Sequence, residues 1–351
     1  MHINNNTISH RQLFRQVIVS FLGIFLLQIP GWESLVGRVG VLCVFIGGFF
    51  LFFYIIYLIR LSNLFTNMEK NFGKIISRMI ILLYLSYLVV TGIFLLLTMH
   101  AVVSRFLVKN AAGWIIMGLA IVICCQGSKK GLEARGRMAE VIYPVITGAV
   151  VIMFVLAVFQ VHPDYLEQSA SITVENLGWG SYGIFCAFAP MVLLPFTLSR
   201  VEKSASTKGT IMGAAGLLAA FLILAFIVLQ GTYGIQGLLY KQFPVIDLMK
   251  GVGLPGNFLQ RVDVFWIIFI LFSVLFALGS IFFYQNELLS SVHWEKYRIL
   301  AVCLMYAGAV ICKQMSISPS YYGWLLKWVY VPLFLLVTLA IGIIKRRRIR
   351  E

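Results

Sequence analysis

Apolar runs of about 20 residues, separated by short polar or basic pieces, recur along the whole 351-residue chain. A helix of that length matches the roughly 30 Å hydrocarbon core of a bilayer. The pattern predicts an all-α polytopic membrane protein of about ten transmembrane helices. The expected spans are 13–31, 38–59, 80–101, 112–126, 139–160, 182–200, 210–230, 262–284, 299–312 and 325–344. No intervening piece has room for a soluble domain, so residues 1–351 read as one transmembrane domain. Its halves run from about 10 to 160 and from about 180 to 345. Five spans per half leave the halves oppositely oriented, as an inverted repeat requires. The two halves share no residue-level similarity, so the repeat is inferred from topology alone.

The sixth span departs from a regular helix. Gly178 to Arg200 reads GWGSYGIFCAFAPMVLLPFTLSR, with Gly183, Pro190 and Pro195 inside it. Each proline removes a backbone donor and clashes with the carbonyl four residues back. In hydrocarbon the freed groups need a partner. Transporters use such broken helices to build sites at the bilayer midplane; a simple proline kink is the alternative. The first span carries a similar weak point from Gly23 to Pro30, and Gln28 is a lone polar residue in its outer half. The expectation is that the two interrupted stretches face each other. In the third span Tyr84, Tyr87 and Thr91 recur at helical spacing and share a face, as pocket wall or as packing contact.

Between spans, Asn63 to Arg78 reads as a basic amphipathic linker lying on the inner membrane surface, with Leu64, Phe65, Met68, Phe72, Ile75 and Ile76 forming one apolar face. Glu133, Arg137 and Glu140 stand at i, i+4 and i+7 and are expected to pair along one helix face. Phe243-Pro244 is placed to open a short helix through Lys250. Arg261 and Asp263 stand at the start of the eighth span and belong at the interface.

The chain is 60% hydrophobic and 12% charged, with a net charge of +15. In a soluble protein that excess would point to nucleic acid. Here Lys and Arg lie at span ends, where they set topology and meet lipid headgroups, and no nucleic-acid partner is expected. With the amino terminus inside, 20 of the 28 basic residues fall on the cytoplasmic side, which places both termini there. The start of the chain does not resemble a cleaved signal. The six cysteines lie in or beside spans, and neither they nor the five scattered histidines make a metal motif. No catalytic constellation is visible, so neither an enzyme nor a cofactor is expected.

Several stretches resemble the spore-germination permeases, the B subunits of Ger-type nutrient germinant receptors. They are ISHRQLF (Ile8 to Phe14), GLEARGRMAEVIYP (Gly131 to Pro144), FPVIDLMK (Phe243 to Lys250) and the GNFLQRVDVFW stretch after it. The matching positions are Glu133, Arg137, Glu140, Pro144, Phe243, Pro244, Arg261 and Asp263. The chain departs from the family where span six carries AFAPMV (Ala187 to Val192) in place of an acid-containing segment. The resemblance implies kinship with the amino acid–polyamine–organocation permeases and a LeuT-like five-plus-five fold with helices one and six broken. It implies an amino acid-like nutrient site between spans one, three, six and eight. It further implies an A-type membrane subunit and a C-type lipoprotein as partners, in the inner membrane of a dormant spore. The pocket residues expected on this basis and on the span patterns are Gly23, Gln28, Tyr87, Thr91, Phe185, Ala187, Phe188 and Ser273. An autonomous amino acid transporter and a ligand-free membrane scaffold are the competing expectations.

Overall fold

A computed structural model describes residues 7–27, 37–66, 68–108, 112–167, 172–202, 207–241, 243–251, 263–318 and 320–350. The described residues form helices and no strand. In chain order these are α1 His10–Leu27, α2 Gly37–Phe65, α3 Met68–Phe72, α4 Lys74–Val102, α5 Gly113–Ser128, α6 Gly131–Val158, α7 Pro163–Glu167, α8 Val174–Ala187, α9 Pro195–Leu198, α10 Thr207–Leu239, α11 Pro244–Gly251, α12 Asp263–Ser291, α13 Arg298–Gln314, α14 Ser320–Leu325 and α15 Val331–Arg350. A 3-10 turn, Ala189–Leu193, joins α8 to α9. A π turn extends α4 to Leu107, and another joins α14 to α15. Six of the helical segments are long and apolar enough to cross a membrane: Gly37–Phe65, Lys74–Leu107, Gly131–Val158, Thr207–Leu238, Val264–Ser291 and Tyr321–Lys345. The protein is an all-α, multi-pass membrane protein.

Apolar side chains cover the outside as well as the inside. Phe45, Phe49, Phe50 and Phe53 on α2 and Val141, Val145, Ile152 and Val155 on α6 are exposed. A helix that is hydrophobic all round suits lipid on one side and protein on the other. α1 is the inner element: it packs against α6, α10 and α12, while α4 closes on α12 from the far side and α2 lies along α8.

Of two connections read from the sequence, one departs from the expectation and one agrees with it. The amphipathic linker over Asn63 to Arg78 is not one element: α2 continues to Phe65, α3 is five residues long, and α4 begins at Lys74. Gly73, at φ +80°, turns the chain between α3 and α4, a conformation that costs a residue with a Cβ. Phe65, Met68 and Phe72 are buried, but Ile75 and Ile76 are exposed on α4. The short helix expected after Phe243 is present as α11, with Pro244 at its first position.

Candidate functional site

The local sequence fixes how α1 enters the bundle. Ser9 and Gln12 form a reciprocal cap: the Gln12 amide donates to Ser9 Oγ (3.3 Å) and the Ser9 amide donates to Gln12 Oε1 (3.1 Å). Just before the cap, Ile8 makes a parallel bridge to Val201. The Ile8 amide donates to the Arg200 carbonyl, and the Glu202 amide donates to the Ile8 carbonyl, both at 3.0 Å. Gly136 on α6 lies against Gln12, where a Cβ would come within 3.0 Å of its side chain. The ISHRQLF stretch is thus a latch followed by a helix start.

α1 runs without a break through Gly23 to Leu27, so the expected interruption does not begin at the glycine. The weakness is there in another form. The Gly23 amide donates to Ser273 Oγ (2.7 Å), and Ser273 Oγ donates to the Val19 carbonyl. Ser273 Oγ thus bridges the Gly23 amide and the Val19 carbonyl, the two groups that a helical bond joins. A Cβ on Gly23 would lie 2.8 Å from Ser273 Oγ and 2.9 Å from the Val274 nitrogen. Gln28 and Pro30 lie outside the described residues, as does Arg261.

The sixth apolar segment is interrupted where its prolines predict. α8 ends at Ala187, the 3-10 turn begins at Ala189, and Pro195 opens α9. Within the turn the bonds shift to i→i−3: Met191 donates to Phe188 (2.9 Å) and Leu194 to Met191 (3.1 Å). Beside this turn lies a cavity of about 70 Å3 between α1, α4, α6, α12 and the turn itself. Its polar lining comes from Gln16 and Ser20 on α1, Tyr87 and Thr91 on α4, Arg135 on α6, Thr197 on α9, and Ser280 and Tyr284 on α12. Pro190, Met191, Leu193 and Leu194 supply the turn's side.

Arg135 is buried. Its Nη2 donates to the Phe276 carbonyl (3.3 Å) and to Ser280 Oγ, which lies 3.2 Å from Ser20 Oγ. The guanidinium sits 4.7 Å from the Phe276 ring centroid and 5.8 Å from that of Phe283. Gly279 leaves room for it, since a Cβ there would be 3.0 Å from Nη1. No carboxylate of the described residues lies within ion-pair distance of Arg135. Thr91 Oγ1 donates to the Tyr87 carbonyl (2.8 Å) and lies 3.2 Å from Tyr322 Oη. Thr197 Oγ1 lies 3.3 Å from Tyr284 Oη. Among the described residues no three His, Cys, Asp or Glu gather as a metal site would need.

Over residues 7–319 the sequence matches the pattern of a family described as "Spore germination protein". The chain belongs to the spore germination protein family. Two relatives from Bacillus subtilis (strain 168) are similar to it. Spore germination protein YndE is 22% identical over 220 residues, covering 62% of this chain and 59% of that protein. Spore germination protein KB is 22% identical over 289 residues, covering 80% of this chain and 76% of that protein. The matched part is thus about three fifths of YndE's length.

The expected pocket residues of this family member fall into three places. Tyr87 and Thr91 line the central cavity. Gly23 and Ser273 hold each other at the α1–α12 contact and do not line it. Phe185 and Phe188 line a void of about 10 Å3 against α2 and α15, with Phe188 also packed on Phe21 (5.8 Å) and Phe25 (4.9 Å). Ala187 ends α8, buried beside them. The family-motif residues serve packing and pairing. Arg137 pairs with Glu133 on an exposed face, as expected, but Glu140 pairs instead with Arg15 of α1 at 3.5 Å. Pro144 lies within α6, Phe243 is buried ahead of α11, and the backbone of Asp263 begins α12. Arg135, Gln16, Ser20, Thr197, Ser280 and Tyr284 were not expected in a pocket. The available signal was angular: Arg135 is two residues after Glu133, so it points about 200° away from the Glu133–Arg137 face.

Proposed function

We propose that this chain is the permease-like, nutrient-binding subunit of a spore germinant receptor, and that an amino acid or similar small solute binds in the central cavity. The chain crosses the membrane about ten times in a LeuT-like five-plus-five arrangement, as one domain, with both termini cytoplasmic. Its partners are an A-type membrane subunit and a C-type lipoprotein in the spore inner membrane. The observation that carries this is the largely apolar cavity with a few buried polar groups beside the broken sixth segment, in a chain of the germination family. Tyr87 and Thr91 give its wall hydroxyls, and the turn from Pro190 to Leu194 forms another side of the same space. Gly23 and Ser273 act at one remove by setting the α1–α12 spacing. A solute that prefers one arrangement of these helices shifts the population toward it by that difference in affinity, and the partner subunits read the shift.

The test is a germination dose–response. Thr91→Val keeps the shape of the wall and removes its hydroxyl. Loss of one hydrogen bond of about 1.4 kcal/mol raises the half-maximal nutrient concentration about tenfold. An unchanged dose–response at normal protein level would remove Thr91 from the site. Uptake of a labelled amino acid by the purified chain alone in vesicles would favour an autonomous transporter.

A further inference from the structure

The Arg135 guanidinium carries five N–H donors, and among the described residues only Nη2 has protein hydrogen-bond acceptors, the Phe276 carbonyl and Ser280 Oγ. The nearby carboxylates are committed elsewhere: Glu133 to Arg137, Glu140 to Arg15, and Glu287 to Arg200. Two aromatic rings and one carbonyl dipole soften a buried positive charge but do not neutralise it. On the α1 side of the same cavity the Gln16 Nε2 amide is buried without a hydrogen-bond partner. Between them the Ser280 hydroxyl donates to the Phe276 carbonyl (3.0 Å) and lies 3.2 Å from Ser20 Oγ. Among the described residues the space therefore presents a fixed cation from α6 and a neutral donor from α1, and no anion.

We infer that the cavity beside Arg135 is a seat for a small monovalent anion, held by the unused guanidinium donors and Gln16 Nε2. About 70 Å3 holds a few water-sized bodies, which suits a halide or a single carboxylate group and excludes a bulky anion. The occupant is either a free halide or the carboxylate of the bound nutrient. Only the second case rests on the amino acid reading above.

The purified full chain is unfolded thermally in detergent at constant sodium concentration, with gluconate replaced stepwise by chloride or by acetate. Gluconate is too large to enter. Chloride or acetate is expected to raise Tm saturably, on the order of 4 °C at hundredfold excess over Kd, and Arg135→Gln is expected to abolish the shift. A shift with both anions assigns the seat to a free ion; a shift with acetate alone assigns it to a carboxylate. No shift in the parent protein, or an equal shift in Arg135→Gln, overturns the inference. If Arg135→Gln does not fold, Arg135→Lys keeps the charge and loses the fork, so its apparent affinity should fall at least fivefold; unchanged affinity overturns the inference. Glycine added in gluconate tests the other reading separately. An anion shift without a glycine shift leaves the seat standing and removes the amino acid, and a glycine shift without an anion shift does the reverse.

Discussion

Ser273 shows how one hydroxyl sets the distance between two membrane helices. It accepts from Gly23 and donates to Val19, so it ties α12 to the backbone of α1. The absence of a Cβ at residue 23 is what admits it. Gly23→Ala would force a methyl against Ser273 Oγ and the Val274 backbone, and the backbone cannot swing aside. Overpacking of this kind costs about 1–3 kcal/mol, so thermal unfolding in detergent should show a clear fall in Tm. Gly48→Ala, where nothing lies within 4 Å of the new methyl, should leave Tm unchanged. Gly23 and Ser273 were visible in the sequence as a glycine and a small polar residue in two apolar spans; their partnership was not, because 250 residues separate them. Arg135 was hidden for the opposite reason. It stands among charged residues at a span end, and only its angle on α6 sends it inward.

At the scale of elements, the prolines of the sixth segment were the most legible feature of the chain, because their effect is local. Pro190 cannot donate to the carbonyl of Cys186, nor Pro195 to that of Met191. The backbone responds with a 3-10 turn between α8 and α9, and that turn forms one wall of the cavity. Replacing both prolines with alanine restores two donors and lets a continuous helix compete. The double variant should keep or raise Tm, while stabilisation by the anion, or by a nutrient, falls at least tenfold in apparent affinity. Retained affinity would show that the cavity does not depend on the break. The linker before α4 was misjudged for a related reason. Its apolar spacing fitted one helix, but a single glycine with positive φ divides it, and periodicity does not register where one residue leaves the helical region.

At the scale of the whole molecule, three contacts tie the start of the chain and the end of the sixth segment to the bundle. Ile8 lines the cavity and is bridged through its backbone to Val201. Arg200, next to that bridge, pairs with Glu287 on α12. Arg15 on α1 pairs with Glu140 on α6 at 3.5 Å. The partly exposed ion pairs contribute about 0–1 kcal/mol each, so the two backbone bonds of Ile8, at about 1 kcal/mol apiece, carry a comparable share. If these contacts hold the cavity shut from that side, they are together weak enough to be broken by a single change. Ile8→Pro removes the donor to Arg200 while leaving the ion pairs in place. With the six native cysteines replaced, a cysteine at Ser20 should react slowly with a membrane-impermeant thiol reagent applied from the side of the amino terminus. Adding Ile8→Pro should raise that rate about fivefold or more, the effect of losing about 1 kcal/mol from a closed state. An unchanged rate would mean that the latch caps α1 without sealing the cavity.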